Sequence, residues 1–364
     1  MPEFLMGSYF VQLDWAIMGQ MVLLGFIGGT LSGFIGSGGA FFMTPGMMNI
    51  GVPGPVAVAS NITHKFGKAM IGSREHGKMG HVDKKLAVFM LFTAALGINL
   101  AVWVMKMMFT GAGEGGGGGA GADLYISLVF SIVLAFVSVS MLKDLIRSRK
   151  SADSKPSRKI VDFLNRLNLH PMINFQVADV KVSLWVIMIC GLATGYLAGT
   201  IGVGGFIGVP AMIYVFGISS QVAAGTELYL AMFMGAYGAL NFALQGMVDI
   251  RLTLLLYLGS LIGIHLGVYG TKVVREMFIR LVTALIILVC VVSRVIAIPV
   301  YLRKLGYLDF PAEMDSYFNI GSKALLYISG IGGMIMILFF VFKAYFQRRK
   351  VQVSLVATRE KVVA

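Results

Sequence analysis

Lys65 and Lys68 sit three residues apart in a stretch that should be apolar throughout: Ser60-Asn61-Ile62-Thr63-His64-Lys65-Phe66-Gly67-Lys68. Lys65 lies ten residues past Pro55, about 15 Å along a helix and near the middle of a bilayer. A lysine at that depth is costly unless paired or hydrated, so it marks a functional site. On a helix the two lysines share a face, which Asn61 and His64 also approach. Two ammonium groups on one such face select an anion, a divalent one included. Lys68 has a second reading, in which its aliphatic stem lets the charge snorkel to the membrane surface.

Glu227 lies about eight residues into its own apolar run, roughly 12 Å deep. A buried carboxylate either pairs with a cation or carries a proton. Glu227 is therefore a salt-bridge partner for Lys65 or a proton carrier that couples transport to a gradient. Asn241 follows on the same helix and is expected to face the interior. His265, alone among apolar residues, is a packing residue or a proton relay. Asp83 and Asp249 each precede an apolar helix and read as N-caps.

The elements that carry these residues are membrane spans. The chain is 57% hydrophobic and 13% charged, about half the charge of a soluble domain. Its apolar runs are roughly 20 residues long, the length of a spanning helix. Strand alternation is absent, which excludes a transmembrane β-barrel. Cys190 and Cys290 lie inside apolar runs, and no disulfide is expected. The net charge of +13 sits between and beyond the runs, where it faces lipid head groups rather than nucleic acid.

The first apolar stretch, Trp15 to about Val52, is too long for one crossing and is interrupted by Gly36-Ser37-Gly38-Gly39 and by Pro45. It reads as a span, a break and a half-helix, Ala40–Ile50. The same order recurs at Gly202-Val203-Gly204-Gly205, Pro210 and the half-helix Phe206–Val215. A shift of 166 residues carries Gly25, Gly29, Gly33, Gly36, Gly51 and Gly80 onto Gly191, Gly195, Gly199, Gly202, Gly217 and Gly246. It also carries Asp83 onto Asp249. A doubled, glycine-broken segment is how a transporter builds one site between two halves.

Non-helical backbone at membrane depth is tolerated only where protein or water covers it. The first amides of a half-helix lack intrahelical partners and carry partial positive charge, so two such ends would form an anion site. Close helix packing through small residues is the competing account of the glycines.

The fold class is accordingly an all-α polytopic membrane protein: two pseudo-symmetric four-helix repeats with glycine-broken first helices, and one extra C-terminal helix. Residues 1–142 form the first repeat and 143–181 a basic cytoplasmic linker, in which Ile160–Leu167 suggest a helix lying on the membrane surface. Residues 182–298 form the second repeat. Residues 299–364 hold an interfacial segment, a last span and the basic tail Arg348-Arg349-Lys350. Counting each broken segment as one crossing gives parallel repeats and puts that tail outside. Counting it as re-entrant gives inverted repeats and an inside tail. The sequence leaves both open.

The ordered motifs resemble the sulfite exporter TauE/SafE family. They are Gly36-Ser37-Gly38-Gly39, Pro45, Gly51, Val58-Ala59-Ser60 and Gly80-His81-Val82-Asp83 in the first copy. In the second they are Gly202-Val203-Gly204-Gly205, Pro210, Gly217, Ala224-Gly225-Thr226 and Gly246-Met247-Val248-Asp249. The resemblance covers about residues 15–298 and implies a permease for sulfur-containing oxyanions such as sulfite or organosulfonates. Ser60–Lys68 departs from the small, apolar stretch usual there.

The expected substrate-binding residues are Gly36, Ser37, Gly38, Gly39, Asn61, Thr63, His64, Lys65, Lys68, Gly202, Gly204, Gly205, Thr226 and Glu227. No metal, cofactor or nucleic acid is expected. A proton or sodium gradient is the candidate driving force, and a second copy of the chain a candidate partner. The expected location is the cytoplasmic membrane of the cell, crossed many times. A passive anion channel is one alternative; an intramembrane enzyme using His64 or His265 with Glu227 is another.

Overall fold

The computed structural model of the chain describes residues 11–35, 39–110, 119–150, 161, 163–164, 169–202, 204–274 and 276–363. Gly36, Ser37, Gly38, most of the glycine loop 111–119 and most of the segment 160–167 lie outside the described residues. The helices are α1 (Trp15–Ile35), α2 (Ala40–Asn49), α3 (Gly54–Lys78), α4 (Lys84–Thr110) and α5 (Ala120–Lys150). After a β-hairpin, β1 (Met172–Phe175) with β2 (Val180–Ser183), come α6 (Leu184–Ile201) and α7 (Gly205–Pro210). A π-helical turn, Ala211–Val215, extends α7. The chain ends in α8 (Ser220–Leu244), α9 (Ile250–Val273), α10 (Glu276–Lys304) and α11 (Met314–Val363).

Seven of these helices are long and apolar enough to cross a membrane. The molecule is an all-α polytopic membrane protein built from two repeats and an added helix. The two long helices of the repeats that miss the apolar criterion are α3 and α8, which carry the polar residues singled out above. Repeat boundaries coincide: a shift of 166 carries both ends of α3 onto both ends of α8. The turn glycines coincide in conformation too. Gly51 and Gly217 have φ of 96° and 78°, and Gly80 and Gly246 have 73° and 70°, left-handed values that only glycine adopts without strain.

The two repeats interlock rather than sit side by side. The most extensive packing pairs α1 with α9, α4 with α6, α3 with α8 and α5 with α10. Small residues make the close approaches. Gly25 and Gly29 lie against Leu256 and Ser260, while Gly191, Gly195 and Gly199 lie against Met90, Ala94 and Ile98. At these positions the small-residue packing account is sufficient.

The contact order gives the direction of each helix. Residue numbers rise together along α1 and α9, and along α4 and α6, so each of these pairs is parallel. Along α3 and α8 they run oppositely: Ile62 meets Gly238, Phe66 meets Gly235, Gly72 meets Leu228 and His76 meets Gly225. Half-helix α2 folds back along α1, with Gly39 against Gly28 and Gly46 against Leu24. Short turns make α3 antiparallel to α4, and α8 antiparallel to α9. Hence α1 and α3 run the same way, and α6 and α8 run the opposite way. The broken segments are re-entrant and the repeats are inverted.

Other details differ from what the sequence suggested. The interfacial segment expected from residue 299 is helical as far as Lys304, because Pro299 removes only one ladder hydrogen bond. An Arg303–Asp315 ion pair then joins α10 to the start of α11. The hairpin within the linker was not anticipated. It is held by Asp83, whose Oδ1 accepts from the Leu86 amide at 3.0 Å and whose Oδ2 accepts from the Ala178 amide at 3.1 Å. Asp249 caps α9 through the Arg251 amide at 3.0 Å.

Candidate functional site

Helices α3 and α8 cross at the centre of the molecule. Their contacts step outward symmetrically from Gly67 and its counterpart Phe233. Lys65 and Lys68 lie two residues before and one residue after that point, within about 3 Å of it along the helix. Helix α3 runs a further ten residues past Lys68 to Lys78, about 15 Å. The positions related to them by the repeat, Ala231 and Met234, are apolar, so both central charges belong to one helix.

Asn61 occupies the same face of α3, one turn before Lys65. It is 1% exposed, and its Nδ2 donates to the Ala40 carbonyl at 3.1 Å and to Thr44 Oγ1 at 2.7 Å. Thr44 Oγ1 in turn donates to the Ile201 carbonyl at 3.2 Å, at the second break. Gly202 has φ of 75°, and a Cβ there would lie 3.0 Å from Asn61 Nδ2 and 3.2 Å from Thr44 Oγ1. The second break therefore rests directly on the first half-helix. Asn61 Oδ1 is buried without a partner.

Lys65 and Lys68 are half-buried yet deep in the protein, so their face opens into a recess. They act electrostatically on one another, and Lys65 acts on Glu227. No ion pair forms between Lys65 and Glu227. Glu227 is 4% exposed, lies against Gly208 of α7, and neither carboxylate oxygen has a hydrogen-bond partner. Its place matches that of Asn61 against α2. It sits about 9 Å to the other side of the crossing point. Of the two roles read from the sequence for Glu227, the salt bridge to Lys65 is thus not made.

His64 faces α9 instead of the lysine recess. Its Nε2 is 2.7 Å from Ser260 Oγ, and its ring stacks at a tilt on Tyr257, centroids 4.6 Å apart. Tyr257 was missed by the sequence reading. Its hydroxyl accepts from the Gly67 amide at 3.1 Å and donates to the Thr63 carbonyl at 3.1 Å. A usable signal existed: Tyr257 and Ser260 stand where the first repeat has Leu91 and Ala94.

The remaining expected residues have local roles. Thr63 Oγ1 donates to Ala59 O at 2.8 Å, within its own helix. Thr226 Oγ1 accepts from the Asp83 amide at 3.0 Å and so anchors the α3–α4 turn. Gly39 begins α2, accepting from the Phe42 and Met43 amides at 3.0 and 3.2 Å. Gly204 plays the same part for α7, accepting from Ile207 and Gly208. Gly205, the first residue of α7, is buried. His265 is exposed on the outer face of α9, away from this recess, and Asn241 donates to Asn99 Oδ1. Among the described residues no cluster of metal-ligating side chains occurs.

Inverted repeats with re-entrant half-helices and central charges define a transporter architecture. A family model described as sulfite exporter TauE/SafE matches residues 21–294. The chain belongs to this family. It is 26% identical over 272 residues to "Probable membrane transporter protein YjnA" of Bacillus subtilis (strain 168), covering 74% of this chain and 96% of that protein. It is 22% identical over 266 residues to "Probable membrane transporter protein YdhB" of the same organism, covering 71% and 93%. No solved structure matches the chain. This TauE/SafE member is a multi-pass membrane transporter.

Proposed function

We propose that this transporter is a secondary carrier of small sulfur-containing oxyanions, sulfite or an organosulfonate, across the cytoplasmic membrane. The observation that carries the reading is the position of Lys65 and Lys68 at the crossing point of the inverted repeats, opposite apolar counterparts. There the two ammonium groups hold the oxyanion. Amides at the start of α2, beside Gly39, add hydrogen bonds, and the Gly202–Gly205 break supplies close backbone approach. Glu227, buried and without a hydrogen bond, carries the coupling proton. Alternating access follows from the two interlocked repeats rocking about this point. The chain is a permease and catalyses no covalent step.

Sidedness follows from charge. The ends of α3 and α5 and the starts of α4 and α6 share one face with Arg74, Lys78, Lys84, Lys85, Lys143 and Lys181. Arg348-Arg349-Lys350 lie within α11, past its apolar span Met314–Phe340, toward that same face. By the positive-inside tendency it is cytoplasmic.

Reconstituted vesicles test the function. With sulfite outside and an imposed proton gradient, a coupled carrier accumulates sulfite beyond equilibrium. Equilibration without accumulation would indicate a channel, and absence of any flux would overturn the reading.

A further inference from the structure

We propose that Arg294 and Asn49 bind a small monovalent inorganic anion, of chloride size, at the C-terminal end of α2. This site is separate from the lysine recess and does not depend on the substrate proposed for it.

Arg294 on α10 is 1% exposed and heads the large side chains that are fully buried. Its guanidinium touches Met48 Sδ at 3.5 Å, Tyr301 Oη at 3.4 Å, Ser322 Oγ at 3.4 Å and Asn49 Oδ1. None of these is an anion. Asp123 is near enough to act on it electrostatically. Yet Asp123 Oδ1 accepts from the Gly54 amide at 2.6 Å, and no ion pair joins it to Arg294. The last carbonyls of α2 offset part of the charge, equivalent to about half an elementary charge. A buried guanidinium held only by neutral groups remains costly.

Two donors are left over on neighbouring side chains. Arg294 Nε and Asn49 Nδ2 are both buried without a partner, on side chains that are already hydrogen-bonded to each other. Asn49 Oδ1 also accepts from Ser322 Oγ at 3.1 Å, which fixes the amide with its nitrogen unused. One small acceptor would satisfy both N–H groups and neutralise the guanidinium. The nearby Asp123 carboxylate disfavours a dianion. Asn49 and Asp123 are partly exposed, which gives the anion a way in.

The inverted repeat shows the complementary arrangement. Met48 corresponds to Tyr214, whose hydroxyl donates to Asp144 Oδ2 at 2.5 Å, with Arg280 acting on it electrostatically. At that end α5 supplies the protein's own carboxylate. At the α2 end no carboxylate of the described residues touches the arginine, and the anion comes from solution.

Purified protein in gluconate buffer of fixed ionic strength tests this by thermal unfolding against added chloride. Wild type and K65M are expected to show the same saturable rise in midpoint. N49A and R294Q are expected to weaken half-saturation by about tenfold or more. If R294Q does not fold, N49A carries the comparison. No chloride-dependent rise in wild type would overturn the proposal. So would a rise that N49A keeps and K65M loses, since the anion would then sit at the lysines. Loss of sulfite transport with the chloride response intact would instead count against the reading of the lysine recess alone.

Discussion

The hydroxyl of Tyr257 on α9 meets the Gly67 amide and the Thr63 carbonyl of α3, at 3.1 Å from each. Those two backbone groups are four residues apart and face one another in a helical ladder. Tyr257 thus bonds to the turn of α3 in which Lys65 lies. Through this contact a displacement of α9 is expected to move the turn that carries Lys65.

Replacing Gly67 with alanine puts a Cβ 2.5 Å from the Tyr257 hydroxyl, so one of the two must move. G67A should lose about 1–3 kcal/mol of stability, as overpacked sites do. Y257F removes two hydrogen bonds of about 1 kcal/mol each and should slow transport while leaving substrate affinity intact. Thermal unfolding and initial uptake rates check both; a Y257F variant that moves substrate at the wild-type rate contradicts the coupling.

Gly202 combines a φ of 75° with close contact to Asn61 and Thr44. G202A should cost about 1–3 kcal/mol from backbone strain and reduce transport with it. G77A is the control, since nothing lies within 4 Å of a Cβ at Gly77. Equal unfolding midpoints for the two variants would mean that the break tolerates a side chain.

Glu227→Gln keeps the volume of the side chain and removes its ability to carry a proton. Proton-driven accumulation should be lost, whereas exchange of substrate across the membrane at equilibrium should continue. Vesicle assays run in both modes separate the two, and retained accumulation in E227Q would exclude Glu227 as the proton carrier.

Inverted repeats make a prediction about sidedness. Single cysteines introduced at Gly119 and at Asn174, in a chain freed of Cys190 and Cys290, should behave oppositely in intact cells. A membrane-impermeant thiol reagent should label position 119 and spare 174. Labelling of both, or of 174 alone, would contradict the assignment of the basic face to the cytoplasm.

The repeat and its short half-helices were legible in the sequence, because glycine spacing and apolar run length are local signals. The sequence left the direction of the second repeat open, since one re-entrant segment and one full crossing have the same composition. Contacts such as Gly39 with Gly28 decide it. His64 was placed with the lysines by sequence proximity, and Thr226 by its place in the second copy of the repeat, opposite Ser60. In three dimensions Thr226 anchors a turn through Asp83, and His64 turns toward Ser260. Tyr257, Thr44 and Arg294 escaped notice because each is polar for reasons of contact across 157 to 245 residues of chain. Comparing the two copies position by position, Tyr257 against Leu91 for instance, recovers part of that information.

Direct binding to a Lys65→Met variant tests the central claim. Purified wild-type protein should be stabilised saturably by sulfite, and K65M should fold, keep its unfolding midpoint without ligand, and lose that response. Sulfite binding to K65M with wild-type affinity would contradict the account.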